Sequence, residues 1–546
     1  MGNSVSATQR APLPVDTLFN LPSQLPSWPQ GTGFASGSIN LGELEVCQIT
    51  KFSKIWEVLE GGPDDLGATF YEPRPIPDGF FMLGCYAQPN NKPLSGWILA
   101  AKDTSSSEAL KMPTDYTLVS SSSSLKIKKT GEGYFWLPTA PSGYSSMGLV
   151  VTSSAGKPSL EKVRCVRSDL VESVEQDTWI WGTDDESAKS DVNVYGLRPT
   201  TRGTQALGVQ VGTFNIQAQN STIPLSLSCL KNTSNNLVSF MPNLNQTQAL
   251  IQTYSPRIYF HPEETYLPSS TKWYFENGVL LYQQGNESNP VRVEPNGSNL
   301  PQGGPNDGTY WLDLPTDATV REKVKKGDLK SAISYLHIKP MLGGTFTDIS
   351  IWLFFPFNGP ARVKVQLVSI PLGKIGEHVG DWEHLTLRIS NFTGELCRVY
   401  LSQHSKGTWV SPSDLEFEGG NKVVAHASLN GHALYPKEGV VLQGNTTLRI
   451  GIRNDAKKSD MVMDTGARYE IVSGDYLGSV VEPFWVNYTR KWGPNISYNY
   501  VDELKAIENR IPGTVALSSI LPNEVRGEDG PTGPKVKNNW NGDEAI

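Results

Sequence analysis

Short apolar runs, separated by clusters of Gly, Pro, Ser, Thr and Asn, set the pattern of this chain. Between about residues 41 and 215 they read ELEVCQI, GWILAA, MGLVVT and GVQVGTF. Each is too short for a helix and is bounded by turn residues, which predicts strands. One unit returns. FYEPRPIPDGFFMLG at 70–84 is echoed by YFWLPTAPSGYSSMG at 134–148, with a glycine five residues after the first and a Lys-Pro pair downstream at 92–93 and 157–158. A degraded third copy lies at 195–208. Repeats with glycine at fixed offsets predict a quasi-symmetric β structure, preferably a three-faced prism. Two similar turns within one sandwich are the alternative.

Residues 216–250 are polar and read as a linker. A second domain is expected over 251–515. Its strand patterns are DISIWLFFPF, VKVQLVSI, HLTLRIS, CRVYLSQ and NTTLRIGI, and one helical excursion spans about 317–336, with Gly327-Asp328 as a possible break. The expected fold is therefore mainly β: a β-prism-like domain followed by a β-sandwich with a short helical excursion. Residues 1–40 read as a flexible arm and 516–546 as a disordered Gly/Pro-rich tail.

Composition narrows the function. The formal charge of -8 comes without a basic stripe, which argues against nucleic-acid binding. No run of 18 apolar residues is present, so no spanning helix is expected. Five widely spaced cysteines fit reduced thiols in a cytoplasmic protein better than a disulfide framework. Nine N-x-S/T sequons occur, but the first residues lack the apolar segment of a secretory signal, so they read as chance. The same residues, MGNSVS, fit the N-myristoylation pattern with Gly2 as acceptor. One acyl chain gives only reversible membrane attachment. The expectation is a peripheral membrane association.

Candidate chemistry concentrates in GEHVGDWEH, 376–384. Read as a strand, Asp381 and Glu383 share a face with Leu385, Leu387 and Ile389, while Trp382, His384, Thr386 and Arg388 take the other. Two carboxylates on a core-facing row repel each other and need a cation. His378 lies three residues earlier in a loop and can fold back. One nitrogen and two carboxylates favour Mg²⁺, Ca²⁺ or Mn²⁺. A polar cluster paired with Arg388 or Arg398 is the alternative. All seven histidines fall between 261 and 432. Of these, His404 is a plausible fourth ligand and His432 a lesser candidate, while His261 and His426 read as structural.

The stretches YFHPEETYLPSS, HIKPMLGGTFTDISIWLFFPFNGP, KIGEHVGDWEHLTLRIS, LSQHSKGTWV and EPFWVNYTRKWGP resemble the plant branch of the vacuolar protein sorting-associated protein 62 family, over about 20–515. That resemblance implies a role in sorting to the vacuole. Over roughly 70 residues the order of motifs is also similar to the necrosis-inducing Nep1-like toxins. Their G-H-R-H-D-W-E heptad helps hold a divalent cation in a sandwich that recognises sphingolipid sugar headgroups. That similarity places His378, Asp381 and Glu383 on the heptad, and His404 on a later toxin histidine. Two positions depart from it: Gly380 stands where the heptad has its second histidine, and Asn358 where the preceding strand ends in aspartate.

The function expected from these readings is a peripheral, non-enzymatic protein of vacuolar trafficking. It would bind lipid or glycan headgroups through a divalent-cation site, with trafficking proteins as partners. A metal-dependent hydrolase with His404 or Glu377 as base, and a non-catalytic scaffold, are the alternatives.

Overall fold

A computed structural model describes residues 17–31, 33–104, 107–182, 192–218, 226–365, 368–404, 406–445, 450–495, 504–505, 508–509 and 530–545. Gly2 lies outside them. The protein is mainly β, as the strand patterning requires. Among the described residues no helix is long and apolar enough to cross a membrane. The five cysteines are free thiols, four of them buried.

The N-terminal half has small antiparallel sheets around a core that includes Trp56, Phe70, Phe135, Trp181 and Phe214. Each repeat copy contributes a longer strand (Ala68–Pro73, Tyr134–Thr139, Val192–Pro199), a turn and a two-residue strand (Phe81–Met82, Tyr144–Ser145, Gly208–Val209). The repeated glycines have a packing reason. A Cβ on Gly84 would lie 2.9 Å from the Gly148 Cα, and one on Gly148 would lie 2.5 Å from the Thr213 methyl. Three chain segments thus converge at one point that only a bare backbone can occupy. This convergence is consistent with a three-faced prism.

The C-terminal half is built on a six-stranded sheet: β1 Ser334–Met341, β2 Phe346–Asn358, β3 His378–Ser390, β4 Leu396–Gln403, β5 Lys406–Val410 and β6 Tyr469–Ser473, in the order β5-β4-β3-β2-β1-β6. One face carries Ile349, Ile351, Leu353 and Phe355 with Leu385, Leu387 and Ile389. It packs on a second sheet that includes Ile258, Val423 and Ala425. The other face carries Trp352, Phe354 and Trp382, covered by Trp485, Trp492 and Trp540. The period-two pattern places both faces as expected.

Several expectations are corrected. The helical excursion is only Ala318–Lys325, capped by Asp317, and Gly327 at φ +65° ends it. The last residues of the expected 317–336 stretch, Ser334 to Leu336, open β1 (SYLHIKPM), whose alternation is satisfied between β2 and β6. The 216–250 segment is not a linker. Ser228–Lys231 is a strand of the N-terminal sheets, and the helix Leu244–Tyr254 opens with a reciprocal Asn243/Gln246 cap. The described part of the arm is tied down: Trp28 donates to the Thr393 carbonyl, and Phe34 joins the C-terminal core.

Residues 530–545 of the tail are folded too. Trp540 stacks on His337, Lys339 donates to the Asn539 carbonyl at 2.7 Å, and Asp543 pairs with Arg388 at 2.6 Å. Each of these charged or aromatic groups is buried, so the segment replaces solvent over the outer face of the sheet.

Candidate functional site

Antiparallel pairing sets Asp381 opposite Phe355 and Glu383 opposite Leu353, on the core-facing row of β3. Both carboxylates are buried, at 7% and 6% exposure. The strand bends just before them. Gly380 has φ +71°, and a Cβ there would meet the Trp492 carbonyl at 2.8 Å. A side chain has no room at this position. The bend lets His378 stay near Asp381 despite its position in the alternation. Its Nδ1 faces the Gly380 carbonyl at 2.7 Å.

His432 approaches from a distant turn. Its ring lies flat on Phe355, with centroids 3.9 Å apart. Its Nδ1 is 2.9 Å from Asp381 Oδ2 and its Nε2 is 2.9 Å from the Tyr266 carbonyl. Both neighbours are acceptors, so both ring nitrogens donate and the ring is an imidazolium. Burial opposes that charge, yet the hydrogen bond to Asp381 and the Glu264 carboxylate 3.9 Å from Nε2 raise the imidazole to about 10. Glu264 braces the same turn. It accepts from the amides of Thr265, Tyr266 and Asn430, at 2.7 to 2.9 Å. Burial pushes its carboxyl up, but His432 and those amides outweigh it and the net shift is downward.

Glu383 is opposite in character. Burial first, then the charge of Asp381, holds its carboxyl well above the usual range, which favours its neutral form. It is hydrogen-bonded to the Ser402 hydroxyl. Lys537, from the folded tail, feels both carboxylates; burial is the larger effect and lowers its ammonium. Burial likewise lowers His378, against the pull of Asp381. The protein thus balances this end of the sandwich with an imidazolium, a retained proton and a tail lysine.

The expected residues are partly brought together. His378, Asp381, Glu383 and His432 meet. His404 sits in the turn after β4 at φ +60°, against Gly431, but its Nε2 faces Asn454 Oδ1 at 3.0 Å. Asn358 pairs across the sheet with His378 and donates to the Gly376 carbonyl at 2.7 Å. The donors are of the right kind for a hard cation, but among the described residues no group of three or more is arranged to hold one. Arg388 and Arg398 do not serve as partners here, since Arg388 takes Asp348 and Asp543 and Arg398 takes Asp177. His384 faces the other side, as the alternation requires, and meets Glu544 at 3.0 Å. Glu264, Ser402 and Lys537 were missed. Only Glu264 had a signal, its place in the HPEETY stretch.

The family model for vacuolar protein sorting-associated protein 62 matches residues 15–544. The chain belongs to the vacuolar protein sorting-associated protein 62 family. The comparison with curated proteins found no match to the chain. Among solved structures it is similar to GNIP1Aa from Chromobacterium piscinae, at 18% identity and TM-score 0.29, over 36% of this chain and 38% of that one. It is also similar to Necrosis and Ethylene inducing Protein 2 from the causal agent of cocoa's Witches Broom disease. There the identity is 17% and the TM-score 0.19, over 34% and 67% of the two chains. A third neighbour is NLPPya in complex with glucosamine, at 14% and 0.19, over 37% and 68%. Necrosis-inducing proteins are thus among the neighbours of this sorting-family chain, in keeping with the GEHVGDWEH motif.

Proposed function

We propose that this member of the sorting family is a non-enzymatic, peripheral membrane protein of vacuolar trafficking. It recognises lipid or glycan headgroups at the end of the sandwich around Asp381. One observation carries the reading: two carboxylates stand buried side by side on a row that continues as Leu385, Leu387 and Ile389. Apolar residues there would make a more stable sheet, and a chain that keeps such a costly pair uses it. Hydroxyl-rich headgroups suit the pair chemically, because protonated Glu383 donates and Asp381 accepts.

A divalent cation, Mg²⁺, Ca²⁺ or Mn²⁺, is part of the proposal. His378, Asp381 and Glu383 would hold it, once His432 releases Asp381. Acylation of Gly2 would supply the membrane attachment, and mass spectrometry of the protein from its native cells tests it. A structural brace is the second reading, favoured by the His432–Asp381 pair.

Flotation with vesicles tests the proposal. Phosphatidylcholine alone is compared with vesicles that also contain phosphoinositide or glycosphingolipid, with and without EDTA. Headgroup-dependent, EDTA-sensitive flotation supports it. Equal failure to float with every composition overturns it.

A further inference from the structure

A cavity of about 330 Å³ lies between the two halves of the chain, well away from Asp381. Its size falls within the roughly 300–1,000 Å³ of small-molecule sites. Lys92 reaches it from the turn after Tyr86–Pro89, and Arg398 reaches it from β4. The Lys92 turn is fixed by the buried Gln88 amide, which donates to the carbonyls of Lys92 and Pro93. The Lys92 ammonium itself donates to the Ser411 hydroxyl at 2.9 Å, across the two halves. That partner is neutral. Among the described residues no carboxylate lies within 4 Å of Lys92, whereas Lys54, Lys102 and Lys422 each have an acid within that range.

Positive charge is in excess here. Arg398 has Asp177 at 3.2 Å, a carboxylate that also lies 3.4 Å from Arg198, although Arg198 has Glu175 closer, at 3.0 Å. Burial is the larger effect on Lys92 and lowers its ammonium to about 8, Arg398 acts in the same direction, and Asp414, beyond hydrogen-bond reach, favours the charge. Arg388 lines the cavity as well, but Asp348 and Asp543 already match it. Two carboxyl groups also line the cavity, Asp177 and Glu395, and burial raises the Glu395 carboxyl. A cation held in a cavity against a like charge, with a hydroxyl as its hydrogen-bond partner, lacks its counter-ion.

We propose that this inter-domain cavity binds a small anion carrying a phosphate or carboxylate group, with Lys92 and Arg398 as its charged contacts and Ser411 as a hydroxyl donor. Such an anion touches both halves at once, from Lys92 on one side and Arg398 and Ser411 on the other. Its binding therefore stabilises their packing by mass action.

Calorimetric titration of the full chain with inorganic phosphate, and separately with succinate, tests this. Binding of at least one probe is expected. Lys92→Gln and Arg398→Gln should each weaken it at least about tenfold. Lys92→Arg, which keeps the charge, should retain most of it, and thermal unfolding should shift upward with the probe in wild type and not in Lys92→Gln. No binding of either probe up to ~10 mM overturns the proposal. So does a Lys92→Gln protein that binds like wild type. Equal losses in Lys92→Gln and Lys92→Arg also overturn it, because charge would then not be what is recognised.

Discussion

His432 Nδ1 lies 2.9 Å from Asp381 Oδ2, across 51 residues of chain, with the imidazole flat against the Phe355 ring opposite Asp381. The contact joins the turn at 428–433 to the end of β3 and makes a buried cation the neighbour of a buried carboxylate pair. The two carboxylates of that pair then have different roles, and substitution separates them.

Asp381→Asn leaves the His432 imidazolium buried without its anion. Removing one partner of a buried ion pair costs about 3–5 kcal/mol, and urea unfolding at pH 7 should show a loss of that order. Glu383→Gln replaces a protonated acid with a neutral amide that still accepts from Ser402. Its stability at pH 8 should equal or exceed that of wild type. Equal losses in both variants would contradict the assigned protonation.

Stability should fall as pH rises through the neutral and alkaline range. The His432 imidazole is raised from about 6.5 in the unfolded chain to about 10 when folded. Its contribution is therefore complete below pH 6.5 and is lost as pH climbs toward 10. Glu383 acts in the same direction. The unfolded chain releases this proton near 4.5 while the folded chain keeps it, so folding is penalised increasingly above that pH. Urea midpoints measured from pH 6 to 10 should decline, with a shallower decline in His432→Gln. A flat profile in wild type would contradict the imidazolium.

The folded tail should be essential to stability. Trp540 is 3% exposed and packs between His337 and Trp352, so Trp540→Ala should cost roughly 3–5 kcal/mol. Glu544→Ala should also destabilise the chain, by stripping His384 and Thr386 of a buried acceptor. Wild-type melting temperatures in both variants would contradict the packing.

Much of β3 was legible because side-chain direction in a strand is local. Period two alone put Asp381 and Glu383 on the core row and His384 on the other. What balances them was legible only in part: His432 stood as a lesser candidate, but its pairing with Asp381, and the parts played by Glu264 and Lys537, depend on three segments remote in the chain. Lys537 was hidden furthest. Its Gly/Pro-rich surroundings look unstructured in isolation, and they order only because Arg388, Lys339 and the tryptophan cluster offer partners. The helix expected over 317–336 failed at Gly327 for the converse reason. The apolar residues after it match a helix face over a few positions, and β2 and β6 claim them as a strand.

The most direct measurement is calorimetric titration of Ca²⁺, Mg²⁺ and Mn²⁺ into chelator-stripped protein, beside Asp381→Asn shown to be folded by near-UV circular dichroism. Binding in wild type that disappears in the variant is the predicted result, and it would make the Asp381 cluster a recognition point. No heat in either protein would contradict the account. His432 would then be the permanent partner of Asp381, and the cluster a brace within the sandwich.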